Sequence, residues 1–251
     1  MGGMCAKKYF FLAGLPRCGN TLFASILNQN PNIQVTANSL LPEIFLALKP
    51  LYQSLLFKNF PDYKSLDNII HNIFDNYYKD WKAKYIIDRS YWGTPCNLEF
   101  LKALNFDLKF IILVRPVLEI LASFIKIEKP LNVEKRCDEL MAADGMVGKA
   151  ILSYQALKKE DCLIIPYNQL TEKPVDTIKK VYQFLKLPLW SHHFSDLDQF
   201  NIEGMCYNDQ VLSAPLHFIK VDKIKKISYK VEEYLPVNII KKYESDYFKS
   251  H

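Results

Sequence analysis

The chain has 251 residues, 49% of them hydrophobic and 24% charged, a balance that excludes a disordered or low-complexity polymer. Its formal charge of +5 suits an anionic ligand but is too small and too dispersed for a nucleic-acid-binding stripe. Six cysteines without a C-x-x-C pair exclude a zinc ribbon or a dense disulfide scaffold, and no apolar run reaches the ~18 residues of a membrane span.

In chain order, the opening MGGMCAKKYF lacks the apolar stretch of a signal peptide, which with reduced thiols predicts a cytoplasmic protein. YFFLA (9–13) is the first predicted strand, and 21–27 is a short helix ended by Asn30–Pro31. IQV (33–35) is a second strand, and 43–78 is helical but irregular. YII (85–87), FIILV (110–114) and CLII (162–165) complete five strands. FFLA, FIILV and CLII are apolar throughout, as strands covered on both faces are. Helices follow Thr94–Pro95 and Pro116, where a first-turn proline is preorganised, over 96–104 and 117–126. One long helix or two shorter ones occupy 135–158, with Gly145 and Gly148 weakening the middle. An amphipathic helix spans 174–185, and beyond Pro188 the pattern frays into a polar, aromatic, lysine-rich segment. Strands alternating with helices predict an α/β fold with a central parallel sheet of about five strands flanked by helices. Without a linker, residues 1–251 read as a single domain with its motifs in 9–188 and an irregular basic segment over 189–251.

The chemistry begins at GLPRCGNTL (14–22), where Gly14, Gly19 and Thr21 have the spacing of a phosphate-binding loop, G-x-x-x-x-G-K-[ST]. A glycine-rich turn between a buried strand and a helix presents backbone N–H groups, and the helix N-terminus adds partial positive charge. Asn20 stands at the lysine position, so the loop's one cation is Arg17, whose planar fork suits a phosphate or sulfate group. Arg115 closes the fourth strand, and Ser123 follows eight residues later on the next helix. A second cation at a strand's carboxyl end makes a two-anion site, although Arg115 also suits a sheet-edge cap and Ser123 a small helix residue.

GLPRCGNTLFASILNQNP (14–31) resembles the 5′-phosphosulfate loop of sulfotransferases that use 3′-phosphoadenosine 5′-phosphosulfate (PAPS). FIILVRPVLEILASFIK (110–126) resembles their 3′-phosphate segment, and CLIIPYNQLTEKPVDTIKKVYQFLKLP (162–188) their later strand, tyrosine turn and helix, with Tyr167 at the tyrosine. The likeness is to the tyrosylprotein and glycan branches, within a P-loop-containing nucleotide-hydrolase-like fold. It implies transfer of a sulfuryl group from PAPS to a hydroxyl acceptor, with release of 3′,5′-bisphosphoadenosine (PAP) and no metal. It assigns Gly14, Arg17, Cys18, Gly19, Asn20, Thr21, Leu22, Arg115, Ser123 and Tyr167 to the donor, with Lys223 or Lys220 closing over the 3′-phosphate. In YIIDRSYWG (85–93), Arg89 falls at the catalytic lysine, with Tyr91 and Trp92 either lining the acceptor pocket or filling core.

Asn38 falls at the glutamate that serves as base in the tyrosylprotein branch, and asparagine cannot take a proton. Glu43, one turn onward, is the substitute, a position where a first-turn glutamate also favours the helix dipole. Asp88 and His71 are weaker choices, and His192–His193 reads as loop. Two other functions fit the same residues: an inactive PAP-binding or partner-binding module, and a kinase with an aberrant P-loop. Acceptor class and oligomeric state are not legible.

Overall fold

A computed structural model describes residues 7–212, 215–219, 222–245, 247 and 248; Cys5 and Lys220 lie outside them. The apolar runs become strands: β1 (Lys8–Leu12), β2 (Ile33–Val35), β3 (Tyr85–Arg89), β4 (Phe110–Val114) and β5 (Cys162–Pro166). They form one five-stranded sheet in the order β2-β3-β1-β4-β5, every pairing parallel. The chain moves from β1 to one side through β2 and β3, then crosses to the other for β4. β1 is thus a topological switch point, where loops at the carboxyl ends diverge and leave a crevice.

The helices are α1 (Asn20–Leu27), α2 (Leu41–Leu48), α3 (Leu55–Asn59), α4 (Tyr63–His71) and α5 (Ile73–Tyr77). After β3 come α6 (Pro95–Ala103), α7 (Val117–Glu128), α8 (Val133–Met141) and α9 (Met146–Ala156). After β5 come α10 (Tyr167–Glu172) and α11 (Pro174–Leu185), and α12 (Val237–Tyr243) lies near the end. The irregular stretch predicted over 43–78 is a series of short helices, because Pro50 and the Asn72 junction interrupt it. The open choice over 135–158 resolves as two helices. A Cβ on Gly145 would stand 2.1 Å from the Glu139 carbonyl oxygen, so the chain turns there on a residue without one.

Every residue of β4 is buried, as expected for a covered strand. β5 departs from that expectation: it is an edge strand, and Ile164 is 38% exposed. The core carries an aromatic cluster around Phe74, which lies 6.2 Å from Phe11, 5.7 Å from Trp92 and 6.1 Å from Phe100. Trp92 is fully buried there, so it packs the core and does not line a pocket. The irregular segment after residue 188 packs back on this body through Leu197, Phe200, Ile202, Leu235 and Ile239.

Candidate active site

The loop from β1 to α1 is shaped by two residues in the left-handed region, Arg17 at φ 59° and Gly19 at φ 86°. The first is uncommon for a residue with a Cβ, and such conformations cluster at functional sites. A Cβ on Gly14 would fall 2.2 Å from Asn20 Oδ1, so the loop closes on itself only with glycine there. Asn20, 3% exposed, donates from Nδ2 to the Leu15 carbonyl at 2.6 Å. That bond holds its side chain to Leu15, so any contact from Asn20 to an anion would come from its backbone amide. Cys18 is fully buried, and burial pushes its thiol far above the ordinary range, which leaves it inert. The first intrahelical bond of α1 runs from Phe23 N–H to the Gly19 carbonyl, so the amides of Asn20, Thr21 and Leu22 are outside the helical ladder.

Arg17 and Arg115 meet above this loop. Arg17 Nε donates to Ser123 Oγ at 3.2 Å, and Arg115 Nη1 donates to the Arg17 carbonyl at 3.4 Å. Arg115 is 4% exposed and forks onto Glu119, with Nε at 3.0 Å and Nη2 at 2.7 Å from Oε2. Its guanidinium lies 4.5 Å from the centre of the Tyr167 ring and 5.1 Å from that of Tyr229, two cation–π contacts. Arg17 differs: among the described residues no carboxylate is within ion-pair distance of it. Burial lowers its pKa, and the neighbouring charge of Arg115 lowers it further against opposing contributions from Tyr229 and Asp209. The carbonyls of Leu216 and Ile227, from the C-terminal segment, accept from Arg17 Nη1 and Arg115 Nη2. Tyr229 donates to Ser123 Oγ at 3.3 Å, and Ile227 N–H donates to the Tyr167 hydroxyl at 3.2 Å. The sheet thus brings Arg17, Gly19, Arg115, Ser123 and Tyr167 together; the Tyr167 ring lies 3.2 Å from where a Gly19 Cβ would stand.

Lys223 is not part of this cluster. It is exposed and forms an isolated bridge with Ser195, whereas Lys226 lines a cavity of about 500 Å³ with Arg115, Glu119, Tyr167, Tyr243 and Tyr247.

On the other side of β1, Arg89 ends β3. Its amide donates to Thr36 Oγ1 at 2.7 Å, its carbonyl accepts from Ser39 N–H at 2.9 Å, and its Nη1 donates to the Tyr207 hydroxyl at 2.8 Å. Asp88 beside it is fully buried and accepts from the Tyr78 hydroxyl and from Trp92 Nε1 at 2.9 Å, a packing role. Burial raises its pKa to about 6, and the bonds from Tyr78, Trp92 and Ser39 work against that rise. Glu43 projects into solvent from the first turn of α2 and touches neither arginine. His71 is exposed at the end of α4, its Nδ1 2.8 Å from the Asp67 carbonyl oxygen, and Tyr91 packs under Lys149. His192 lies 2.9 Å from the Tyr182 hydroxyl, on the α11 side of the sheet.

The residue type expected of a base lies elsewhere. His217 Nδ1 is 2.5 Å from Asp209 Oδ1, and its amide donates to Asp209 Oδ2 at 2.9 Å. A carboxylate only accepts, so Nδ1 carries the proton and Nε2 keeps its lone pair. The ring stacks on Tyr207 at 3.7 Å and 1°, and Tyr207 is the residue that holds Arg89. Burial lowers the His217 pKa, Asp209 pulls it back up, and Arg89 and Arg17 push it down, so the ring lies within the field of both cations. Burial pushes Asp209 up, but the bonds and charge of His217, with the charge of Arg17, outweigh it and hold the carboxylate ionised. Asp209 and His217 sit in an aperiodic stretch far from the loop motif; the only sequence signal was a carboxylate and a histidine eight residues apart.

A parallel sheet switched at its first strand, with a glycine-rich loop and paired arginines at its carboxyl edge, defines a P-loop-like α/β fold. Residues 10–192 match the Sulfotransferase family, and the chain belongs to it. A Caenorhabditis briggsae protein named as a candidate protein-tyrosine sulfotransferase is 22% identical over 222 residues, 83% of this chain and 75% of that one. The sulfotransferase domain from the curacin biosynthetic pathway superposes with a TM-score of 0.58 at 18% identity, over 96% of this chain and 98% of its own. Mouse sulfotransferase SULT7A1 complexed with PAP superposes with a TM-score of 0.51 at 11% identity, over 95% and 81%. At these identities the structural likeness is one of fold.

Proposed function

We propose that this chain moves a sulfuryl group from PAPS to a hydroxyl acceptor and releases PAP. The observation that carries the reading is Arg17: a half-buried cation, unmatched by any carboxylate among the described residues, on a left-handed backbone position above a glycine-rich loop. A desolvated, unneutralised guanidinium is costly unless an anion meets it. With Arg115 and Ser123 alongside, the residues present fit a ligand with two phosphate groups. Asn20 is turned inward, so the lysine position has no cation for a triphosphate, and the kinase alternative has no support.

Arg17, with the amides of Cys18 through Leu22, would hold the 5′-phosphate, and Arg115 with Ser123 the 3′-phosphate. The cavity of about 500 Å³ between Arg115 and Tyr247, with Tyr167 and Tyr243 in its walls, suits a purine nucleoside. In the transfer the acceptor oxygen bonds sulfur, the S–O bond to the 5′-phosphate breaks, and that electron pair leaves with PAP. Arg17 stabilises the charge gathering on the leaving oxygen. Arg89, held by Tyr207, faces the transferring group as a fixed cation. His217 Nε2 takes the acceptor's proton, with Asp209 fixing the ring and stabilising the imidazolium, and so replaces the glutamate absent at Asn38.

Calorimetric titration with PAP, and with ATP and magnesium, tests the reading. Micromolar or tighter PAP binding that Arg17→Ala weakens supports it. ATP–magnesium binding tighter than PAP, or PAP binding indifferent to Arg17→Ala and Arg115→Ala, overturns it.

A further inference from the structure

Arg89 and His217 come from stretches far apart in the chain, and one side chain, Tyr207, touches both. We propose that Tyr207 is a positioning residue that couples them: its hydroxyl anchors the Arg89 guanidinium, and its ring face steadies His217 as the imidazole becomes an imidazolium. The proposal rests on the sulfotransferase reading.

The phenol oxygen of Tyr207 accepts from Arg89 Nη1 at 2.8 Å. Among the described residues no carboxylate is within ion-pair distance of Arg89. A neutral anchor therefore fixes the guanidinium without cancelling its charge, which stays available to an anionic group. The same ring lies against His217, with centroids 3.7 Å apart and planes within 1°. Phe200, 5% exposed, braces the Tyr207 ring at 4.9 Å. The chain reaches Tyr207 through a hairpin in which Ile202 and Met205 exchange backbone bonds of 2.9 and 2.8 Å across Glu203 and Gly204, both at positive φ. Glu203 pairs with Lys82 at 3.7 Å, just before the strand that Arg89 ends.

A parallel stack with so short a separation has little offset. Two neutral aromatic rings disfavour that overlap and prefer an offset or edge-to-face arrangement. A cation over an electron-rich face is attracted to it. The stack thus stabilises His217 more after it has taken a proton than before, and such a difference is what lowers a barrier. Asp209 meets the same charge at the ring's edge, while burial and the charges of Arg89 and Arg17 oppose it. Arg89 bonds the phenol at its oxygen, on the rim of the ring, and so leaves the face to the imidazole. Phenylalanine would supply the face without the anchor. Tryptophan would offer only a donor, which Arg89 cannot use.

The test follows the His217 Cε1–H signal by NMR against pH in the full chain, in Tyr207→Phe and in Tyr207→Leu, without nucleotide. Phenylalanine keeps the face, so the His217 midpoint in Tyr207→Leu should lie at least half a pH unit below that in Tyr207→Phe, about threefold in proton affinity. Should Tyr207→Leu fail to fold, Tyr207→Met removes the face in the same way. The second measurement is PAP release from PAPS with water as acceptor. There the water oxygen bonds sulfur, the S–O bond to the 5′-phosphate breaks with its electron pair leaving on PAP, and His217 Nε2 takes the proton. Tyr207→Phe should slow that release at least tenfold, with PAP affinity by calorimetry within twofold. Equal midpoints in the two variants, or release that Tyr207→Phe leaves within twofold, overturns the proposal, because a tyrosine that only packs would lower the unfolding temperature and move neither. If PAP does not bind the unsubstituted chain, the donor reading falls; the midpoint difference needs no nucleotide and fails only with the stack.

Discussion

Two regions at the carboxyl edge of the sheet are built on opposite plans. One gathers the cations Arg17 and Arg115 on the β1–α1 loop and the end of β4, where strand ends and a helix start already favour anions. The other is a cavity of about 160 Å³ with no charged residue in its lining, assembled from three stretches far apart in the chain, 36–39, 77–81 and 200–206. Affinity for charge can be written in a short motif. Shape selectivity for an apolar group needs surfaces brought together by the whole fold.

His217 stacks on Tyr207, which holds Arg89, so its removal should have the largest effect. His217→Ala should lower turnover by about 10²–10⁴-fold while PAP affinity holds, read by steady-state kinetics beside calorimetry. As the proposed base His217 would act only when neutral, so the rate should rise with pH through its pKa, with the midpoint below the ordinary histidine value because burial lowers it. Asp209 opposes that lowering; Asp209→Asn should move the rising limb to lower pH and reduce turnover at its plateau.

The wall of that neutral cavity stands on a buried acid, since Tyr78, in its lining, donates to Asp88. Burial keeps Asp88 protonated in the fold to about pH 6, against an ordinary value of 3.8. Between those values the unfolded chain has released a proton that the folded chain retains, so stability should fall as pH rises from about 4 to about 6, by about 3 kcal/mol in all. Chemical denaturation across that range should show the slope, and Asp88→Asn should flatten it.

At the paired arginines, Arg17→Ala should weaken PAP binding by about 1.5–3 kcal/mol, the range for one charge-assisted contact, read by calorimetry. Lys82→Ala should do least. Lys82 is 84% exposed, so its pair with Glu203 should change stability by less than about 1 kcal/mol, read by thermal unfolding.

The same contrast explains what was legible in the sequence. FFL and FIILV announce buried parallel strands because both faces need apolar residues, while CLII gave the same signal although its strand is an edge that leaves Ile164 partly open. That Arg17, Gly19, Arg115, Ser123 and Tyr167 come together was legible because spacing along one loop or helix sets their positions. Composition does not say which way the small Asn20 amide turns, and the bond to Leu15 decided it. Glu43 was chosen for nearness in sequence to Asn38, yet its turn of α2 faces solvent. Asp209, His217 and the Ile202–Met205 hairpin lie where no periodicity orders the chain, and only tertiary packing delivers them.

The carbonyls of Leu216 and Ile227 rest on the two arginines that the bisphosphate would take. Each bond to a phosphate oxygen would have to replace one to the chain itself, so donor entry becomes an exchange reaction within the protein. The two carbonyls would then work as competitors of fixed, high local concentration, and arrival and departure of the nucleotide would share their timescale. Binding slower than diffusion, at a rate that levels off with rising PAP concentration, would be the kinetic signature of that exchange.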